Sequence, residues 1–217
     1  MHKIFPVLLL ASLSLTSCLT ITESYYFAKD GSGNMQFLVD LSQMSGILNY
    51  ADQEQQSSSV EDLSFVEIVK QLKQIDGIYE VALLDDPSIY QWGVSYEFAN
   101  TVALNKALNV LLMKKGNQSF HPFVEYHGQQ FVSQHRFDKF QVRDRLSDDE
   151  RFAPLMEEAM KKMDYHIQYE FARPIKAVYA KQEVKLAGKK PKNLGLKCTL
   201  WELEDNTQLL DATLILK

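Results

Sequence analysis

Apolar and polar residues alternate along much of this chain. Ile21, Glu23, Tyr25 and Phe27 alternate with Thr22, Ser24 and Tyr26, and Met35, Phe37, Val39 and Leu41 alternate with Gln36, Leu38 and Asp40. Successive side chains of a strand point to opposite faces, so each run predicts a half-buried strand. Between them lies Lys29-Asp30-Gly31-Ser32-Gly33-Asn34, and the whole reads as a β-hairpin. The polar stretch 49–59 reads as a flexible linker. Ser59 and Asp62 resemble a helix start, and Leu63, Val66, Val69, Leu72 and Ile75 then recur at helical spacing until Asp76-Gly77 stops them. Ile78 to Leu84 is a short apolar strand, Asp85-Asp86-Pro87 a turn, and Trp92 to Phe98 alternates again. Asn100 is placed to cap a helix from Thr101 to about Lys115, which Gly116-Asn117 ends.

The second half repeats the idea. Phe120–Tyr126 and Gln130–Phe137 predict a hairpin around His127-Gly128-Gln129. After a charged stretch, 138–151, the capping-box spacing of Ser147 and Glu150 and the placement of Pro154 predict a helix whose apolar face is Leu155, Met156, Ala159, Met160 and Met163. Tyr165, Ile167, Tyr169 and Phe171 alternate with His166, Gln168 and Glu170 as a strand, and three more strands are expected near 176–186, 195–203 and 207–216. Their turns are Lys189–Asn193 and Glu204-Asp205-Asn206. Tyr96-Glu97-Phe98-Ala99 recurs as Tyr169-Glu170-Phe171-Ala172; a duplicated unit or chance in a Tyr/Phe-rich chain would both produce the echo. Helices and strands that follow one another without βαβ repetition predict an α+β fold: one or two antiparallel sheets with about three amphipathic helices packed on one face.

The N-terminus has a different character. His2 and Lys3 make a short basic start, Ile4 to Leu15 is an apolar run, and Leu15-Thr16-Ser17-Cys18 closes it. These are the parts of a secretory signal. The run is too short to span a bilayer, which takes about 20 apolar residues. The closing tetrad resembles the lipobox of a bacterial lipoprotein, and the chain is similar to envelope lipoproteins of Bacteroidota. The resemblance implies that residues 1–17 are a signal peptide and that Cys18 carries a diacylglyceryl group as the mature N-terminus. It implies a body, 18–217, anchored in the cell envelope. Leu19 follows the cysteine where an Asp would favour the inner membrane, and Leu19-Thr20-Ile21-Thr22-Glu23 lacks the acidic run of surface export, so the outer membrane facing the periplasm is the expected place. Stable anchoring needs two lipid chains, each buried CH₂ contributing about 0.8 kcal/mol.

Composition narrows the picture. The 200 residues after the signal suffice for one domain with a real core, or for two smaller ones meeting near residue 117. The formal charge is −5, so no basic excess recruits nucleic acid. With Cys18 acylated, only Cys198 remains and no internal disulfide forms.

Candidate chemistry is sparse. His121, Glu125 and His127 would share one face of a strand, and with His135 or His166 could ligate a metal. Nothing in the spacing requires one, so no metal and no cofactor are expected. Asp30, Ser32 and Asn34 look like calcium-loop positions, but Leu41 stands where the bidentate Glu belongs. The same loop lacks the Lys-Ser/Thr of a phosphate loop. No Gly-x-Ser-x-Gly elbow or Cys/His pairing signals nucleophilic catalysis. Three functions stay open. The favoured one is a non-catalytic, lipid-anchored envelope protein that binds a protein partner or assists assembly. A lipid or small apolar ligand carrier would need a cavity lined by Tyr169, Phe171 and the Met face. An unrecognised hydrolase would need His, carboxylate and hydroxyl groups in one cleft.

Overall fold

A computed structural model describes residues 19–42, 65–112, 120–135, 161–206 and 208–217. In chain order the elements are β1 (Leu19–Phe27), β2 (Gly33–Asp40), α1 (Val66–Leu72), β3 (Ile78–Asp86), a 3-10 turn (Pro87–Ile89), β4 (Gln91–Phe98), α2 (Thr101–Leu112), β5 (Val124–His127), β6 (Gln130–Ser133), β7 (Met163–Phe171), β8 (Ile175–Ala180), β9 (Asn193–Thr199), α3 (Leu200–Asp205) and β10 (Ala212–Leu216). Sheet A has the order β3-β4-β2-β1-β7-β9, and sheet B the order β5-β6-β10-β8. Strands from both sides of residue 117 share sheet A, so that residue is no boundary of the sheet.

The fold is mixed α and β but dominated by its sheets. The expectation of helices layered on one sheet face needs correction on two points. Sheet B covers much of sheet A's inner face, with Phe131 of β6 packed on Phe27, Tyr169 and Phe171 at centroid distances of 4.9–5.1 Å. The helices sit around that contact: α2 lies against β3, β4 and β5, and α3 against β7 and β9. The sheet is also not all antiparallel, since β1 pairs β7 in parallel from Leu19↔Met163 to Phe27↔Phe171. A parallel neighbour 144 residues away in sequence leaves no local signature, because only antiparallel pairs are joined by tight turns.

Several elements follow from local chemistry. Gly31, at φ +87°, turns the first hairpin, where the Asp30 carboxylate accepts hydrogen bonds from Ser32 N and Oγ. Gly77, at φ +86°, ends α1's segment and meets α2 at Ala103. Asn100 caps α2 through Ala103 N at 3.0 Å. Several segments differ from expectation; β8 and β10 are shorter than the runs 176–186 and 207–216 that predict them. Met163 begins β7 rather than ending a helix, and residues 151–160 of that Met face lie outside the described residues, as do the linker 49–59 and the stretch 138–150. Residues 200–205 form α3 rather than the end of the strand 195–203 and the turn after it, started by a capping box in which Thr199 and Glu202 satisfy each other's backbone.

The Tyr-x-Phe-Ala echo has a positional explanation. A third copy, Tyr25-Tyr26-Phe27-Ala28, lies in β1. Strands β1, β4 and β7 run in the same direction and the motifs stand level. Met35 is opposite both Tyr25 and Tyr96, Gly33 is opposite both Phe27 and Phe98, and Tyr25 and Phe27 are opposite Tyr169 and Phe171. All six rings are buried. The same level of one sheet face imposes the same demand on each strand: a ring with a polar tip, then a plain ring.

Candidate functional site

The polar group that stands out is Glu23. It alternates with Ile21 and Tyr25 on the inner face of β1, and that face is covered, so the carboxylate has no exposed surface. Burying an unpaired carboxylate is costly, and such groups persist only with partners. Glu23 accepts short hydrogen bonds from the hydroxyls of Tyr25 and Tyr165. Nε2 of His135 stands 3.3 Å from its Oε2, outside hydrogen-bond alignment. Burial by itself raises the Glu23 carboxyl, but the His135 ring and the two tyrosine hydroxyls outweigh it and hold it below its ordinary value. Burial, then the Glu23 charge, push Tyr25, Tyr96 and Tyr165 well above the usual phenol range, so these hydroxyls are neutral.

Strand β6 supplies the opposite wall. Its alternation places Phe131, Ser133 and His135 toward sheet A. Ser133 Oγ is 2.6 Å from the Tyr169 hydroxyl, which ties the two sheets together. His135 is fixed by its backbone N–H, which donates to Asp211 Oδ1 at 2.7 Å. Three polar atoms in the cluster, Tyr96 Oη and both ring nitrogens of His135, have no hydrogen-bond partner among the described residues. A carboxylate, an imidazole and a hydroxyl thus converge, as hydrolysis would need. They do so in the interior, with Glu23, Tyr165 and His135 at 0, 2 and 5 % exposure. What the arrangement can do is join the two sheets in one register through a buried polar network.

The sequence-derived candidates are dispersed. His121 is buried on Phe123, at 4.5 Å between rings, with Nε2 3.1 Å from the Gln134 carbonyl. Glu125 and His127 are exposed and 3.6 Å apart. The expected common face of the three does not form, because the strand begins only at Val124 and burial changes sides there. Helix α2 causes that change: Asn105 and Asn109 each clamp a backbone, Asn105 on Val124 N and O and Asn109 on His121 N and O, at 2.7–2.9 Å. His166 lies on the outer face of sheet A beside Asp164 and Lys197; burial and then the Lys197 charge hold its imidazole low, against Asp164. Cys198 is buried, and burial, then the Glu202 and Asp164 carboxylates, push its thiol up to about 12, which makes it inert. Cys18 lies outside the described residues.

Two surface features complete the description. A concavity of about 670 Å³ at sheet B is bounded by Val132, Val178, Val184 and Leu186 and, in equal measure, by polar residues that include Gln134, Gln182, Asp211 and Thr213. Strand β3 is an edge of sheet A and leaves Tyr79 and Leu83 exposed. Among the described residues no helix is long and apolar enough to cross a membrane.

No protein-family model and no curated protein matches the chain. One solved structure is similar over most of its length: the folded domain of the Mycobacterium tuberculosis LppM protein, determined by NMR, at a TM-score of 0.43 and 13 % identity, covering 93 % of this chain and 89 % of that one.

Sequence reasoning placed Glu23 on the same strand face as Ile21, Tyr25 and Phe27 but missed the cluster. The signal was present in that acid: a carboxylate in phase with three apolar residues is either an edge residue or a buried, paired one.

Proposed function

We propose that the protein is a lipid-anchored component of the bacterial cell envelope, held through Cys18, that acts without catalysis by binding a protein partner. The observation that carries the reading is the junction at Leu19. The lipobox-like tetrad ends at Cys18, and β1, an interior strand of sheet A, begins at the next residue. A lipid on Cys18 would therefore sit one residue from the folded body. The outer membrane, periplasmic side, fits the residues after Cys18.

The choice of a protein partner rests on β3. Among the described residues nothing pairs with its outer side, and Tyr79 and Leu83 project from it at 54 and 39 % exposure. An open strand edge with apolar side chains suits addition of a partner's extended segment.

A small apolar ligand is the second reading, and the groove on sheet B favours it, since its volume lies in the ~300–1,000 Å³ range of ligand sites. It replaces the cavity expected around Tyr169 and Phe171, whose space is filled by Phe27 and Phe131.

Membrane fractionation with intact-mass measurement, on the native chain and Cys18→Ala, tests the anchor. Acylated Cys18 in the membrane fraction and a soluble variant are expected; an unmodified Cys18 sinks the reading. Native mass of the detergent-solubilised protein then separates a stoichiometric protein partner from a bound small molecule.

A further inference from the structure

The end of sheet A from which the chain runs back to Cys18 has its own surface chemistry. Leu19 is fully buried and paired with Met163, so it cannot swing outward without breaking β1 from β7. One peptide step, about 3.8 Å, separates its Cα from that of Cys18. A lipid on Cys18 therefore has no tether, and whatever surrounds Leu19 is held at the membrane.

The register fixes what surrounds it. Asp40 is opposite both Thr20 and Gln91, so the turn Pro87–Tyr90 lies at this end. Asp164 is opposite both Thr20 and Thr199, so Lys161, Lys162 and the start of α3 lie there too. Ile89 projects at 47 % exposure. Trp201 is half-buried, with Lys161 Nζ 5.0 Å from its ring centroid. Tryptophan, tyrosine and lysine side chains, each apolar with a polar tip, are the ones that suit a headgroup layer. Four acids at this end are turned to local use: Asp40 accepts from Ser42 N and Gln91 Nε2, Asp86 from Ser88 N and Oγ, Asp164 from Lys197 Nζ, and Glu202 closes the capping box, while Asp85 is exposed. The opposite end of the sheet carries the polar turn Lys29–Ser32, together with Tyr79 and Val102, which are also exposed.

We propose that the protein seats this end of sheet A on the bilayer, with Ile89, Trp201 and Lys161 in the headgroup layer and the strands rising from the membrane. The proposal rests on the reading of Cys18 as the lipidated residue. It fixes which surfaces face away: the Lys29–Ser32 end stands farthest from the lipid.

The test uses the full chain, isolated from membranes with its acylation read by intact mass, carrying Ile89→Cys or, at the far end, Lys29→Cys. The buried Cys198 thiol does not compete for a nitroxide label. In vesicles of phosphatidylethanolamine and phosphatidylglycerol, the expected result is a several-fold rise in oxygen relative to water-soluble nickel accessibility for the label at 89 and no change for that at 29. Acylated protein whose label at 89 stays open to nickel overturns the seating and leaves the anchor standing. A label at 89 shielded from both reagents points to a protein at this end and also overturns it. An unmodified Cys18 removes the anchor and the seating together.

Discussion

Nε2 of His135 stands 3.3 Å from Oε2 of Glu23, and both side chains are sealed between the two sheets. Glu23 comes from the interior strand β1 and His135 from just beyond β6, so the pair spans the sandwich. Its partners from other strands are Tyr165 on β7 and, nearby without a hydrogen bond, Tyr96 on β4. A group in this position makes stability depend on pH.

The sign follows from the direction of the shift. The folded protein holds the Glu23 carboxyl below its ordinary value of 4.5, so the unfolded chain binds the proton more readily. The stabilisation is present above that value and is lost as pH falls through the lower, folded-state one. Asp30 is also held low, by Ser32, and Asp40, against its own burial, by Ser42 and Gln91, so part of any acid loss is theirs. Thermal melts of the wild-type chain and of Glu23→Gln between neutral pH and about pH 3, across the carboxylate range, are expected to converge as pH falls. Parallel curves would show that Glu23 carries no such charge.

The tyrosines separate partnered from unpartnered hydroxyls. Tyr165→Phe removes a donor to a buried carboxylate and is expected to cost about 1.5–3 kcal/mol. Tyr96→Phe removes a buried hydroxyl that has no hydrogen-bond partner among the described residues, and is expected to be neutral or stabilising. Equal losses in urea denaturation would contradict the network drawn here.

Glycines 33 and 195 make a second contrast. A Cβ on Gly33 would fall 1.7 Å from the Tyr26 carbonyl oxygen and 2.8 Å from Phe98 Cζ, at the centre of the aromatic row. Gly33→Ala must force β1, β2 and β4 apart, at a cost of roughly 3 kcal/mol or more. A Cβ on Gly195 meets nothing within 4 Å. Gly195→Ala should be neutral or gain up to ~1 kcal/mol by restricting the unfolded chain. Denaturation midpoints check both.

Asn105→Ala tests the clamp between α2 and β5. It strips the partner from Val124 N and O together, and each buried group left unpaired costs about 1–3 kcal/mol. Hydrogen exchange should show the Val124 amide losing protection ahead of the β1 amides. If protection there is unchanged, the side-chain clamp does not hold the segment.

By itself the sequence determined the local order of this protein. The period-two runs became β1, β2, β4 and β7 close to where alternation placed them, because alternation reports one wet and one dry face. Asn100, Gly31 and Gly77 act as the cap and turns their chemistry implies. Residues 200–203 read as strand because Leu200 and Leu203 fit an apolar strand as well as a helical stripe; the Thr199–Glu202 capping box is the signal that decides for helix. Only the tertiary structure decided what the faces meet. The parallel union of β1 with β7, the packing of sheet B where helices were expected, and the meeting of Glu23 with Tyr165 and His135 are all long-range. Each joins residues more than a hundred positions apart, and neither periodicity nor turn chemistry reaches that far.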